Sequence, residues 1–116
     1  MKKYIFSLLL MLATPNVSAE ASWSHGEIDL LESFSDYVVI RWTGPKTQEC
    51  GSDDHAVRFD SDSLGNEAAF DRAVSIAMSA QVSQKPIRFR LDGCIGTKQK
   101  ATIVQLCTNS DCTYNS

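Results

Sequence analysis

Residues 66–94 constrain the fold more than any other part of this sequence, because they join a helix signal, a helix stop and a strand signal. Asn66 is a favourable N-cap, and acidic residues follow it in the first turn of the predicted helix. Apolar side chains then recur at helical spacing until Pro86, before which the chain has to leave the helix. Residues 87–91 alternate apolar and basic side chains, which predicts a strand that runs to a turn at Cys94.

Four further segments have the composition of β-strands. They are rich in β-branched or aromatic residues, or alternate apolar with polar ones, and cover residues 26–31, 37–42, 55–60 and 101–106. Five strands with a helix between the third and the fourth is the element order of the OB-fold, a small Greek-key barrel. We therefore predict a mainly β, five-stranded OB-fold-like barrel (β-β-β-α-β-β) as a single domain over residues 20–116. An α+β sheet with one covering helix has the same element order and remains the alternative.

The four cysteines predict two disulfide bonds, as is usual for an even count in a short exported chain. Cys107 and Cys112 enclose a four-residue polar turn, so we pair them with each other. Cys50 is then left to pair with Cys94. A zinc site of four thiolates is disfavoured, because it would need a reducing compartment and a second close cysteine pair.

The N-terminal residues have the layout of a secretory signal peptide. Lys2 and Lys3 precede an apolar run over residues 4–12, and small residues follow at 17–19. We predict residues 1–19 as the signal peptide with cleavage after Ala19, and residues 19–21 offer a second possible site. The apolar run is about half the roughly 20 residues that a membrane-spanning helix needs. The prediction is thus an exported protein, periplasmic or secreted, with no membrane span.

The charge of the mature chain disfavours a nucleic-acid partner. Without Lys2 and Lys3, nine Lys and Arg side chains stand against fourteen Asp and Glu, a balance of −5. Nucleic-acid binding normally requires the opposite sign, with basic residues clustered on one face. The basic residues here are scattered, so we predict no nucleic-acid binding.

Catalytic and metal signatures are weak. The two histidines, His25 and His55, are not linked by any motif to a serine, cysteine or carboxylate, so we predict no catalytic residues, no enzyme activity and no cofactor. Residues 60–71 partly match a calcium-binding loop, but Leu64 takes a ligand position and a strand precedes the segment. A solvated turn ending in the helix N-cap is the preferred interpretation, with no metal ligand.

Two segments carry a resemblance to a known family. The sequence FDRAVSIAMSAQVSQKPIRF at 70–89 resembles the helix and following strand of the B subunits of AB-type bacterial toxins, such as those of subtilase cytotoxin and typhoid toxin. The sequence LCTNSDC at 106–112 is similar to their last strand and tight disulfide loop. The resemblance implies an OB-fold, a homopentameric ring, recognition of sialylated cell-surface glycans and an exported A-subunit-like partner.

Three residues are the candidates for ligand binding. In these B subunits a serine just ahead of the first strand contacts the sugar, and Ser24 is the nearest match, although His25 intervenes. Sugar sites use aromatic faces with a few directed polar groups, which adds Trp23 and Tyr37. Ordinary packing roles for the aromatic residues remain the alternative.

The functional prediction is an exported non-enzymatic binding module that recognises surface glycans as a homopentamer. The alternative is a periplasmic protein-interaction or inhibitor-type accessory protein that binds no glycan.

Overall fold

The computed structural model describes residues 21–112, which form six strands and two helices. The elements in chain order are β1 (Ser22–Gly26), β2 (Ile28–Ser33), β3 (Tyr37–Trp42), β4 (Ala56–Asp60), α1 (Ser61–Leu64), α2 (Glu67–Ser83), β5 (Ile87–Ile95) and β6 (Lys98–Leu106). The mainly β class with one main helix is confirmed. The predicted signal peptide at residues 1–19 lies outside the described residues.

The six strands form one mixed sheet in the order β1-β5-β6-β4-β3-β2. β4 and β6 run parallel, and the other neighbouring pairs are antiparallel. β1 and β2 stand at the two ends of this order, although Glu27 alone separates them in the sequence. The N-terminal part of the chain therefore borders both edges of the sheet.

The predicted count of five strands was wrong, because residues 22–26, ahead of the first predicted strand at 26–31, form a strand of their own that pairs with a different partner. β1 pairs with β5, and β2 pairs with β3. The chain changes partner at Gly26, where a Cβ atom would overlap the backbone of Gly44. Two further bonds hold Glu27 at this point, since its N–H donates to Thr43 Oγ1 and its carbonyl accepts from Thr43 N at 2.9 Å each. Glycine thus permits a close backbone approach that a period-two pattern does not reveal.

Helix α2 begins and ends where the sequence predicts. The side chain of Asn66 accepts a hydrogen bond from Ala69 N at 2.7 Å, which caps the N-terminus. At the other end Gln84 takes a left-handed conformation (φ 58°), and the chain leaves the helix before Pro86. Ala73, Ala77 and Ala80 are buried in the core, so the small-residue stripe packs against this chain's own sheet.

The segment ahead of α2 is more regular than the predicted solvated turn. Asp60 caps the short helix α1: its carboxylate accepts from Ser63 N at 2.8 Å, and Ser63 Oγ accepts from Asp60 N at 3.0 Å. This reciprocal pair is a capping box. The carboxylate of Asp60 therefore has a structural partner within its own segment.

A single apolar core lies between the sheet and α2. Trp42 is buried and meets Phe89 edge-on, with ring centroids 5.8 Å apart. The other core residues are Val38, Ile40, Val57, Phe59, Ala73, Ala77, Ala80, Ile87, Leu91, Ala101 and Val104. On β3, β4 and β5 the core residues lie at alternate positions, which confirms the period-two patterns there. On β6 the core residues Ala101 and Val104 are three positions apart, and the pairing of β5 with β6 shifts register nearby.

Both predicted disulfide pairings are confirmed. Cys50 bonds to Cys94 with the Cα atoms 5.7 Å apart, and this bridge joins the loop after β3 to β5. Cys107 bonds to Cys112 with the Cα atoms 4.9 Å apart, directly after β6. Within residues 21–112, no helix combines the length and apolar character that crossing a bilayer demands.

Candidate functional site

Two aromatic rings stack at the short turn between β2 and β3. Phe34 N donates to Tyr37 O at 2.8 Å, which closes the turn and brings the two side chains to the same place. The ring centroids are 4.5 Å apart and the ring planes differ by only 16°. Because 45% of Phe34 is exposed, the stack presents an aromatic surface to solvent. Tyr37 therefore belongs to a surface cluster with Phe34 and not with Trp23 and Ser24.

Arg58 completes this aromatic–arginine cluster, which consists of Phe34, Tyr37 and Arg58. The guanidinium carbon of Arg58 lies 3.7 Å from the centroid of the Tyr37 ring, a close cation–π contact. Within the described residues, no carboxylate forms an ion pair with Arg58, and its Nε is buried with no hydrogen-bond partner. Lys100 is the register partner of Arg58 on the parallel strand β6. Positive charge therefore lies beside the aromatic stack.

Trp23 forms a second aromatic–arginine contact on another part of the sheet. Its side chain points outward from β1 and is 41% exposed. The guanidinium carbon of Arg88 on β5 lies 4.1 Å from the Trp23 ring centroid. Trp23 is thus accessible, as a sugar-binding aromatic residue has to be, but Arg88 covers part of its face.

Ser24, the residue suggested by the family resemblance, is buried. Its side chain is on the opposite face of β1 from Trp23, with 3% of the residue exposed. The hydroxyl donates a hydrogen bond to Pro45 O at 2.6 Å and so fixes the loop after β3. The three predicted ligand-binding residues consequently lie in three different environments: Trp23 with Arg88, Ser24 in the interior, and Tyr37 with Phe34 and Arg58.

The two histidines are also separate. His55 contacts the Trp42 ring at 5.3 Å between centroids, and its Nε2 is 3.0 Å from Gly44 O. His25 lies exposed on β1, opposite Arg88 in the β1–β5 register. Among the described residues there is no group of three or more His, Cys, Asp or Glu side chains placed to hold a metal ion.

A buried polar network that the sequence did not reveal anchors the loop between β3 and β4. Gln99 on β6 is fully buried; its Oε1 accepts from Thr47 N at 2.9 Å and from Gln48 N at 3.0 Å, while its Nε2 donates to Asp54 O at 2.6 Å. Gln48, also buried, accepts from Gly93 N and donates to the carbonyl of Leu91. The sequence offered only two isolated glutamines, one ahead of the last predicted strand at 101–106 and the other in a polar loop.

Two aspartates in the same loop carry structural charge. The guanidinium of Arg41 and then the ammonium of Lys98 lower the pKa of Asp53 from 3.8 to about 2. The N–H of Cys50 and the ammonium of Lys46 hold the pKa of Asp54 below its ordinary value. Both carboxylates are satisfied by groups of the protein, so they hold the loop rather than offer a site.

An exposed apolar strip lies along the outer face of α2. It consists of Met78 and Val82 on the helix and Leu106 at the end of β6, with 53%, 83% and 39% of these residues exposed. The three line one shallow depression together with Lys85. The strip thus lies on the side of α2 that faces away from the core, together with the neighbouring end of β6.

Comparisons with protein-family models, with curated proteins and with solved structures gave no match.

Proposed function

We propose that this chain is an exported, non-enzymatic binding module with an OB-fold-like barrel, and that it recognises acidic glycans at the aromatic–arginine cluster. The observation that carries the proposal is the exposed stack of Phe34 on Tyr37 with the guanidinium of Arg58 beside it. The resemblance to toxin B subunits supports the same class of ligand.

The strand order supports the OB-fold. If β1 and β2 are counted as one strand that bends at Glu27, the order becomes a closed circuit of five strands with α2 between the third and the fourth. That is the arrangement of an OB-fold, whose ligands bind at the second and third strands and at the loops next to them. In this chain those positions are β3, β4 and the turn that carries Phe34. Under this proposal the aromatic–arginine cluster lies on the ligand-binding face of the fold.

The chemistry of the cluster suits an acidic sugar. An exposed aromatic ring offers an apolar face on which the C–H groups of a sugar ring can lie. The guanidinium of Arg58 and the ammonium of Lys100 attract a carboxylate, and no acid of the described residues forms an ion pair with Arg58. Sialylated and uronic-acid glycans combine these two features.

An oligonucleotide is the other ligand class of this face, and the overall charge argues against it. Base stacking on Phe34 and Tyr37 would resemble OB-fold recognition of single strands. The whole sequence, however, has a formal charge of −3, so a polyanion would be repelled over most of the surface. A glycan with one carboxylate needs only the local positive charge.

The test is a glycan array probed with oxidised, folded protein. We expect signal on glycans with a terminal carboxylate and at least a tenfold loss for Phe34→Ala and for Arg58→Gln. Leu30→Ala is the matched control, because Leu30 is 46% exposed on β2 outside the cluster and its removal should leave binding unchanged. A blank array, or an equal loss in the control, would reject the proposal.

Assembly into a ring of five copies is part of the proposal and rests on the family resemblance. The alanine stripe of α2 packs on the chain's own core, so a subunit contact would instead use the exposed strip of Met78, Val82 and Leu106. Native mass spectrometry should show a pentamer that Val82→Asp disrupts. A protein that stays monomeric at all concentrations would reject the ring. It would also reject the exported A-subunit-like partner, because that partner is proposed to bind the ring.

A second candidate, a periplasmic protein-interaction module without glycan binding, is favoured by the same apolar strip. Its exposure on a helix face suits the apolar face of a partner protein. Crosslinking from position 82 in the periplasm distinguishes the two functions. A heterologous crosslink together with a blank glycan array would favour this candidate, whereas crosslinks only between identical chains would favour the ring.

A further inference from the structure

We propose that a cavity beside the second disulfide binds a small amphipathic carboxylate, with Arg88 as the anchor for its charge. The cavity has a volume of about 400 Å³, within the range of small-molecule sites. It lies between α2, the start of β5, the end of β6 and the turn closed by Cys107 and Cys112. It is separate from the aromatic–arginine cluster of Phe34, Tyr37 and Arg58.

Arg88 is the one charged residue that lines this cavity in the described part of the chain. No aspartate or glutamate of residues 21–112 forms an ion pair with it. Its contacts are the Trp23 ring, 4.1 Å away, and Gln105 Oε1, which accepts from one of its terminal nitrogens at 3.4 Å. A guanidinium has further N–H donors in a planar fork, and a carboxylate can accept two of them in parallel.

The other residues that line the cavity determine which non-polar group the ligand can carry beside its carboxylate. Ile76 from α2 and Val104 and Leu106 from β6 bring branched aliphatic side chains to the cavity. Thr108 adds a hydroxyl at the turn. An aliphatic group of matching size buries apolar area against this wall, while its carboxylate meets Arg88. The wall thus favours an aliphatic acid over a bare anion such as acetate.

The disulfide turn forms one lip of the cavity. Cys107 N donates to Pro86 O at 3.0 Å, which fixes the start of the turn against β5. The bridge to Cys112 and the bond from Cys112 N to Asn109 O, 3.2 Å long, fold the chain back over the cavity. The lip therefore depends on the oxidised bridge, and reduction should weaken the binding of the carboxylate.

The test is an NMR titration of the oxidised protein with N-acetyl-leucine as the probe. We expect saturable shifts of the amides of Gln105, Cys107 and Thr108, with a dissociation constant on the order of 1 mM for a ligand of this size. The neutral N-acetyl-leucine amide and acetate serve as controls, the first without charge and the second without the aliphatic body. Both should bind about tenfold more weakly or worse.

Matched arginine variants locate the anchor. Arg88→Gln should weaken binding of N-acetyl-leucine about tenfold or more, whereas Arg90→Gln, two residues along the same face of β5, should leave it unchanged. The proposal is overturned if the neutral amide binds as well as the acid, if the two variants behave alike, or if no amide shifts at several times the expected dissociation constant. The comparison of acid with amide uses the unaltered protein, so it holds even if Arg88→Gln fails to fold. Hexanoate, added in parallel, separates a preference for any aliphatic acid from one for a peptide C-terminus.

Discussion

Replacing Gln99 with leucine should destabilise this protein more than its modest change in size suggests. Gln99 is fully buried and is the hub of the loop between β3 and β4, where it bonds Thr47 N, Gln48 N and Asp54 O at 2.6–3.0 Å. Leucine fills a similar volume but can make none of these three bonds. The loop carries Cys50 as well, so its anchoring is shared between this network and the first disulfide.

The magnitude follows from the groups that lose a partner. The buried N–H of Gln48 loses its acceptor and the buried carbonyl of Asp54 loses its donor, and each unsatisfied buried group costs about 1–3 kcal/mol. Water can replace Gln99 at the N–H of Thr47, because Thr47 is exposed. The extra apolar surface of leucine offsets part of this, on the order of 1 kcal/mol. We therefore expect the free energy of unfolding to fall by about 3 kcal/mol. In a domain of this size that corresponds to a Tm lower by about 12–24 °C.

Urea unfolding of the oxidised proteins measures the effect, with Gln105→Leu as the matched control. Gln105 lies on the same strand but is exposed, so its replacement should change the free energy by less than about 0.5 kcal/mol. Hydrogen exchange at Thr47 and Gln48 should also become faster in Gln99→Leu. Equal unfolding midpoints for the two variants would refute the role given to Gln99.

Three other substitutions test the contributions of the first disulfide, the N-cap of α2 and Asp53 to stability. Replacing both Cys50 and Cys94 with alanine should lower the free energy of unfolding by about 4 kcal/mol, read from urea midpoints, because the bridge spans 44 residues of the unfolded chain. Asn66→Ala should cost about 1 kcal/mol in the same assay through the loss of the helix cap, and no loss would contradict the cap. Arg41 holds the pKa of Asp53 near 2, below its unfolded value, so Asp53 stabilises the fold above about pH 4 and loses this effect as the pH falls towards 2. Asp53→Asn should then have a lower urea midpoint than the parent at pH 6, and this gap should shrink as the pH falls towards 2; a gap as large at pH 2 as at pH 6 would contradict this.

Local signals in the sequence predicted the parts of the fold that depend on neighbouring residues. The cap at Asn66 and the stop at Pro86 bound the helix, and the strand at 37–42 is where the composition placed it. The five-residue spacing of Cys107 and Cys112 predicted their bridge and thereby the other one. Each of these rests on interactions within a few residues, or on the small number of possible cysteine pairings.

Contacts between distant residues could not be predicted in this way. The chain changes pairing partner at Gly26, where the backbone of Gly44 approaches it, and no local sequence pattern indicates that contact or the strand β1 ahead of it. The network of Gln48 and Gln99 joins residues about half the chain apart. The burial of Ser24 depends in the same way on the carbonyl of Pro45.

The candidate site shows the same limit. Tyr37 was predicted as a ligand-binding residue with Trp23 and Ser24, but its contacts are with Phe34, three residues before it, and with Arg58 on the next strand. The contact with Phe34 could have been predicted from the sequence, because the two residues are close in the chain. The contact with Arg58 could not, because it depends on the register of β3 and β4.

Mapping of sialyllactose onto the oxidised protein by NMR tests whether the aromatic–arginine cluster binds an acidic sugar. We expect saturable shifts centred on Phe34, Tyr37 and Arg58, together with their loss in Arg58→Gln. Shifts elsewhere on the surface, or none at saturating sugar, would contradict it.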